Sequence, residues 1–154
     1  MITAHVVYAT ITGNNEDIAD IITERLEDRG IEVNETEISQ TDANVFLECD
    51  ICIVCPYTYD EGALPEEGLD FFDDLQELDL SEKIYGVAGS GDTFYEEYFN
   101  VAVDRFDDAF KKAGAIKATD NIKINLEPDG HDIEALDEFS DDLILAAQKQ
   151  QSND

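Results

Sequence analysis

The chain has 154 residues, 43% of them hydrophobic and 31% charged, a composition suited to one globular domain with a sizeable core. Thirty-eight Asp and Glu stand against nine Lys and Arg, a formal net charge of −29 that argues against nucleic acid and anionic membranes as partners. Two readings of this acidity stay open and are compatible: a docking surface for basic proteins, and adaptation to high salt, where counterions screen self-repulsion. The excess of Asp over Glu and the scarcity of Lys lean towards the second. Neither a secretory leader nor an apolar run of membrane-spanning length is recognisable, so the expectation is a soluble, cytoplasmic monomer.

In chain order, residues 2–9 (ITAHVVYA) read as a strand covered on both faces. Glu16 to Arg29 reads as a helix, with Ile18, Ile21, Ile22 and Leu26 at helical spacing and Gly30 closing it. Ile31 to Ile38 alternates like an edge strand, and Ala43 to Leu47 suggests a short helix. Ile51 to Cys55 is a third strand, followed by the turn-rich stretch Pro56 to Gly62. Leu64 to Leu78 predicts a helix with Leu69, Phe72 and Leu75 inward; Lys83 to Gly89 predicts the fourth strand. Tyr98 to Ala113 is an amphipathic helix with Val101, Ala102, Phe106, Ala109 and Phe110 on one side. Ala115 to Asn125 is expected as the last strand, and Ile133 to Ala147 as the last helix, frayed after Gln148. Strands alternating with helices imply a single α/β domain over residues 1–150, with 151–154 as a frayed tail. The expected architecture is a three-layer sandwich: a five-stranded parallel sheet in order 2-1-3-4-5, helices on both faces. Ligands in such sheets sit beyond the carboxyl ends of the strands, where the order reverses.

Three loops would meet there. The first, Thr10-Ile11-Thr12-Gly13-Asn14-Asn15, joins a strand to a helix start, whose free N–H groups and positive dipole end suit a phosphate. It holds no Lys or Arg, so an anion there rests on neutral dipoles. The second, Pro56-Tyr57-Thr58-Tyr59-Asp60-Glu61-Gly62-Ala63-Leu64-Pro65, and the third, Ser90-Gly91-Asp92-Thr93-Phe94-Tyr95 with Tyr98 beyond, place aromatics beside Gly and small polar residues. A planar ligand needs such flat walls with polar groups at its edge, and Tyr59 and Tyr95 are the candidate walls.

Cys49, Cys52 and Cys55 are spaced like the start of an iron–sulfur run, but a fourth cysteine is absent. Residues three apart on a strand point to opposite faces, so three thiolates are not expected to converge, and small buried hydrophobes are the expectation. His5 and His131 carry no assigned role.

The three loops together, with their order and spacing along nearly the whole chain, resemble the FMN loops of flavodoxins, and a last strand without room for the long insertion of one subgroup resembles the short-chain kind. The resemblance implies that Thr10, Thr12, Gly13, Asn14 and Asn15 wrap the FMN phosphate. It implies that Thr58, Tyr59, Asp60 and Gly62 line one side of the isoalloxazine, and that Ser90, Gly91, Asp92 and Tyr95 bind its pyrimidine edge and other face. The implied activity is low-potential one-electron transfer by non-covalent FMN, between semiquinone and hydroquinone, from a reductase donor to an oxidoreductase acceptor. The protein is then a carrier and not an enzyme; the alternative is a flavodoxin-like module dedicated to one enzyme partner.

Three positions depart from the family pattern. Asn15 stands where Thr usually ends the phosphate motif, Tyr59 where Trp is frequent, and Asp60 where a Gly often follows. The family's peptide at that last point turns over on reduction, and Asp adopts the required positive φ less readily than Gly. Glu61, Glu66, Glu67, Asp70, Glu96 and Glu97 would ring the flavin edge and steer basic partners. One carboxylate about 10 Å away contributes at most ~0.4 kcal/mol in water, and several together ~1–2 kcal/mol against a second negative charge on the ring. A receiver domain of the same fold would need a phosphoacceptor Asp ending the third strand, where Pro56 stands, and no complete dinucleotide Gly pattern is present.

Overall fold

The computed structural model of the protein describes residues 2–9, 14–56, 66–91, 101–125 and 128–152. Its elements are β1 (Thr3–Tyr8), α1 (Asn14–Asp28), β2 (Glu32–Glu37), β3 (Ile51–Cys55), α2 (Glu66–Leu75), β4 (Ile84–Gly91), α3 (Val101–Lys112), β5 (Ile116–Lys117), β6 (Ile122–Asn125) and α4 (Gly130–Ser152). Every residue of β3 is buried, as a β-branched strand covered on both faces must be. β2 alternates polar and half-buried positions and lies at the edge.

All pairs are parallel, in the order β2-β1-β3-β4-β5 that the sequence predicts. The strand period of two sorts the core into two halves. Val6, Ile53 and Cys55 face α1 and α4, packing on Ile18, Ile22, Leu26, Leu136 and Phe139. Val7, Val54 and Cys52 face the other way, towards Phe46, Phe71, Leu75, Phe106 and Phe110. Gly30, at φ 84°, ends the first helix in the left-handed region, which glycine enters without steric cost.

Three expectations need correction. The last strand is split: β5 pairs with Ile84 and Tyr85, while β6 pairs with Ala88 to Gly91. Ala118 to Asn121 thus span Gly86 and Val87, an excess that the turn-forming run Thr119-Asp120-Asn121 accommodates as a bulge. In α2 the buried ring is Phe71, one turn before Leu75, whereas Phe72 is half-buried and meets Phe106 edge-on at 5.3 Å. The final helix continues to Ser152, whose hydroxyl also donates back to the Gln148 carbonyl one turn earlier (3.0 Å).

Polar ties hold the layers in register. The Arg25 guanidinium donates through Nε and Nη2 to the two carboxylate oxygens of Asp141 (3.1 and 2.9 Å), fastening α1 to α4. Tyr85, stacked on Phe110 at 4.6 Å, donates to Asp107 Oδ1 (2.6 Å), and Asp107 also pairs with Lys111 and Lys117. Burial alone would raise that carboxyl, but these donors and charges hold it below the ordinary carboxylate value.

Glu35 on β2 behaves oppositely. Burial first, then a shared hydrogen bond with Asp20, pushes its carboxyl up to about 7, while Thr23 donates to it (2.6 Å). A carboxyl whose folded value lies above its unfolded one stabilises the fold fully below the unfolded value and loses that contribution as pH rises through the folded one. Urea unfolding will therefore give lower stability at pH 8 than at pH 5.5, and Glu35→Gln, which keeps the hydrogen bonds without a titrating proton, will flatten that part of the profile.

Candidate functional site

The carboxyl ends of β1, β3 and β4, three neighbours in the sheet, form one rim. Of the three expected loops, the described residues are those that anchor them: Ala9, Asn14 and Asn15 around the first, Pro56 at the start of the second, and Ser90 and Gly91 at the start of the third. Thr10, Ile11, Thr12, Gly13, Tyr57, Thr58, Tyr59, Asp60, Gly62, Asp92, Tyr95 and Tyr98 lie outside the described residues.

The anchors converge on Asn15. Its side chain is fully buried. Nδ2–H donates to the Ala9 carbonyl (2.9 Å), and Oδ1 accepts from the Ser90 N–H (2.9 Å). The reason lies in the sheet. Pairing of β3 with β4 stops at Val54 and Val87, so the Ser90 N–H lies beyond the last β3 partner. A backbone donor buried at that point needs an acceptor, and Asn15 supplies one from the first turn of α1. The amide thus joins the end of β1 to the end of β4. Expected as a donor to phosphate through its side chain, Asn15 has that side chain engaged within the protein.

A second close approach lies alongside. Gly89 faces the Pro56 carbonyl so tightly that an added Cβ would collide with the oxygen, and it would stand 2.9 Å from Val103 Cγ2. Glycine here lets β4, the chain leaving β3, and α3 touch. Sequence reasoning gave Gly89 no role, because its packing partners are distant in sequence.

The rim suits an anionic, polar-edged ligand. The first turn of α1 presents N–H groups that have no partner within the helix, at the positive end of a 15-residue dipole. Ser90 Oγ is buried without a hydrogen-bond partner among the described residues, an orphaned hydroxyl at the start of the third loop. Opposing these, Glu16 and Asp17 stand exposed in the same helix turn, so an anion must be held by oriented dipoles rather than by net field. These donors suit an anionic or hydrogen-bonding ligand group at the rim.

Among the described residues no three His, Cys, Asp or Glu side chains gather as a metal site. None of the described helices is long and apolar enough to cross a membrane.

Comparison with known proteins gives the family. A family model described as Flavodoxin matches residues 6–139. The structure of a short-chain flavodoxin associated with a non-canonical PDU bacterial microcompartment is 60% identical, with a TM-score of 0.94 over 96% of this chain and 99% of that one. The flavodoxin of Streptococcus pneumonia TIGR4 is 48% identical, with a TM-score of 0.90 over 93% of this chain and 98% of that one. Probable flavodoxin 2 of Bacillus subtilis (strain 168) is 40% identical over 134 residues, 86% of this chain and 88% of the relative.

Proposed function

We propose, since this chain belongs to the flavodoxin family, that it carries single electrons at low potential between redox proteins, one domain over residues 1–150 acting as a cytoplasmic monomer. The coarser statements follow from the family: the protein is an FMN-binding electron carrier and not an enzyme. Bound FMN supplies the one-electron chemistry; the polypeptide holds it and sets its energy.

In this reading Thr10, Thr12, Gly13 and Asn14 wrap the phosphate, with Asn15 contributing its backbone N–H, since its amide is engaged with Ala9 and Ser90. Thr58, Tyr59, Asp60 and Gly62 line one ring face, and Ser90, Gly91, Asp92 and Tyr95 the pyrimidine edge and the other face. The observation that carries the reading is the Asn15 brace, which ties the phosphate loop to the ring loop at one buried residue. The net charge of −29 supports two further parts. It disfavours adding negative charge to the ring, which lowers the potential, and it steers basic surfaces of a reductase donor and an oxidoreductase acceptor to the rim. The same acidity is what adaptation to high salt would leave.

Stepwise reduction of the purified protein followed by absorbance is the test. The expected result is a yellow protein with one FMN per chain, reduced in two separated one-electron steps. The midpoint of the lower step will rise as salt is added, because counterions screen the acidic field. A colourless protein that ignores added FMN, or one joint two-electron step, overturns the reading; a salt-independent midpoint removes its electrostatic part.

A second reading, service to one dedicated enzyme partner, is favoured by the 60% identical structure, described as associated with a bacterial microcompartment. Fast reduction by one reductase and indifference to others would select it.

A further inference from the structure

The three cysteines are buried and do not converge, as expected, but two of them, Cys49 and Cys52, do meet. Cys55 does point away, buried in the α1–α4 half of the core, with its thiol pushed up by burial. Cys49, however, precedes β3. It follows the 3-10 turn Ala43–Glu48, and the alternation that separates Cys52 from Cys55 does not govern it. Its sulfur lies 3.8 Å from that of Cys52, and both lie near the Phe46 carbonyl (3.8 and 3.7 Å).

We propose that Cys49-Asp50-Ile51-Cys52 is a thiol-oxidation site, with Cys49 attacking a hydroperoxide and Cys52 resolving the product as an intrachain disulfide. Both thiols are buried, but access favours Cys49, which is 6% exposed against none for Cys52. Cys49 lines a cavity of about 250 Å³ at the amino ends of β1, β2 and β3, rimmed by the exposed Glu32 and Glu48 and the half-buried Asn34. Cys52 lies fully buried behind it. The acidic rim admits a small neutral oxidant and repels an anionic disulfide such as oxidised glutathione. Division of labour follows the surroundings. The hydrogen bond from Cys52, then the Lys83 charge and the His5 backbone, lower the Cys49 thiol against burial and the Asp50 carboxylate, while burial raises that of Cys52.

The chemistry balances. The Cys49 thiolate attacks one peroxide oxygen; an S–O bond forms, the O–O bond breaks, and the leaving hydroxide takes a proton to become water. Cys52 sulfur then attacks the sulfenic sulfur; the S–S bond forms, the S–O bond breaks, and hydroxide leaves with the Cys52 proton as a second water. Two thiols lose two electrons and the peroxide gains them. The sulfurs must close by about 1.8 Å to reach a disulfide bond length, and Cys49 rather than Cys52 is the residue outside the strand ladder.

The site lies at the end of the sheet opposite the flavin rim, so it is read without flavin chemistry. The FMN-loaded protein is exposed to one equivalent of hydrogen peroxide, unfolded in urea under acid, and its free thiols and intact mass are measured. The expected result is loss of two of the three thiols, a mass lower by about two hydrogens, no covalent dimer, and reversal by dithiothreitol. Cys55→Ser will keep this response, and Cys52→Ser will stop at a dimedone-reactive sulfenic acid on Cys49. Cys49→Ser will slow thiol loss by roughly tenfold or more. Three thiols surviving peroxide, loss that includes Cys55, or Cys49→Ser reacting at the original rate overturns the proposal. If the Cys49 and Cys52 variants do not fold, the thiol count of the unaltered protein and of Cys55→Ser still decides it.

Discussion

Replacing Asn15 with alanine will lower the stability of the FMN-free protein by about 2–5 kcal/mol in urea unfolding, because two buried backbone groups lose their partners at once. The Ala9 carbonyl and the Ser90 N–H each depend on that amide, and the side chain is wholly enclosed, so water does not replace it in the closed structure. Asn15→Asp makes the brace depend on pH. Protonated, the new carboxyl can donate to the Ala9 oxygen and accept from Ser90; ionised, it is a buried charge facing that oxygen, so this variant will lose stability as pH rises. Ligand affinity gives an independent readout. A brace that positions the first and third loops will weaken FMN and riboflavin by similar factors when it is removed. A side chain that grips the phosphate would weaken FMN alone. Isothermal titration with both ligands separates the two, and an unchanged riboflavin affinity would return Asn15 to the role its motif position suggests.

That result would mark the limit of motif reading at this position. The sequence places Asn15 in the phosphate loop, and the strand–loop–helix frame around it is legible from residues 2–29 alone, through the apolar run, the helical spacing of Ile18, Ile22 and Leu26, and Gly30 at the stop. The direction of the Asn15 side chain is not legible, because its partner Ser90 is 75 residues away and the need for an acceptor arises only once β3 stops short of it. Cys49 shows the same limit on a smaller scale. Strand period predicts Cys52 and Cys55 on opposite faces, as found, but says nothing of a residue just outside the ladder. In α2, Phe71 and Phe72 each lie at helical spacing from Leu75, so spacing alone leaves the choice between them open. The two-piece last strand was signalled by the turn-forming Thr119-Asp120-Asn121, a signal outweighed in the sequence by the apolar residues on either side. Local chemistry fixes elements and rims; the orientation of buried polar groups waits on neighbours the chain brings from afar.

The same long-range logic makes Gly89→Ala the second large effect, with an expected loss of about 3 kcal/mol or more and a matching fall in FMN affinity. The new methyl would collide with the Pro56 carbonyl oxygen, a backbone atom, and press on Val103 Cγ2 at 2.9 Å. Neither neighbour yields easily. Pro56 follows directly on β3, whose Cys55 carbonyl accepts from Ala9 N–H (3.0 Å), and Val103 is buried on α3. Relief therefore requires the end of β4 to move away from the chain leaving β3, which parts two of the three loops at their roots. Gly86→Ala tests the specificity of that argument. Its methyl would meet the Phe139 ring at 2.6 Å, a side chain on α4 that can rotate or shift, so the cost will be smaller and FMN affinity less affected. Gly130→Ala has nothing within 4 Å and will be close to neutral. The ordering Gly89 above Gly86 above Gly130 is read from urea unfolding of the three variants, with FMN titration alongside. A Gly89→Ala protein as stable as Gly130→Ala would mean that the rim tolerates separation, and that the contact between β4 and Pro56 is not what holds the loops together.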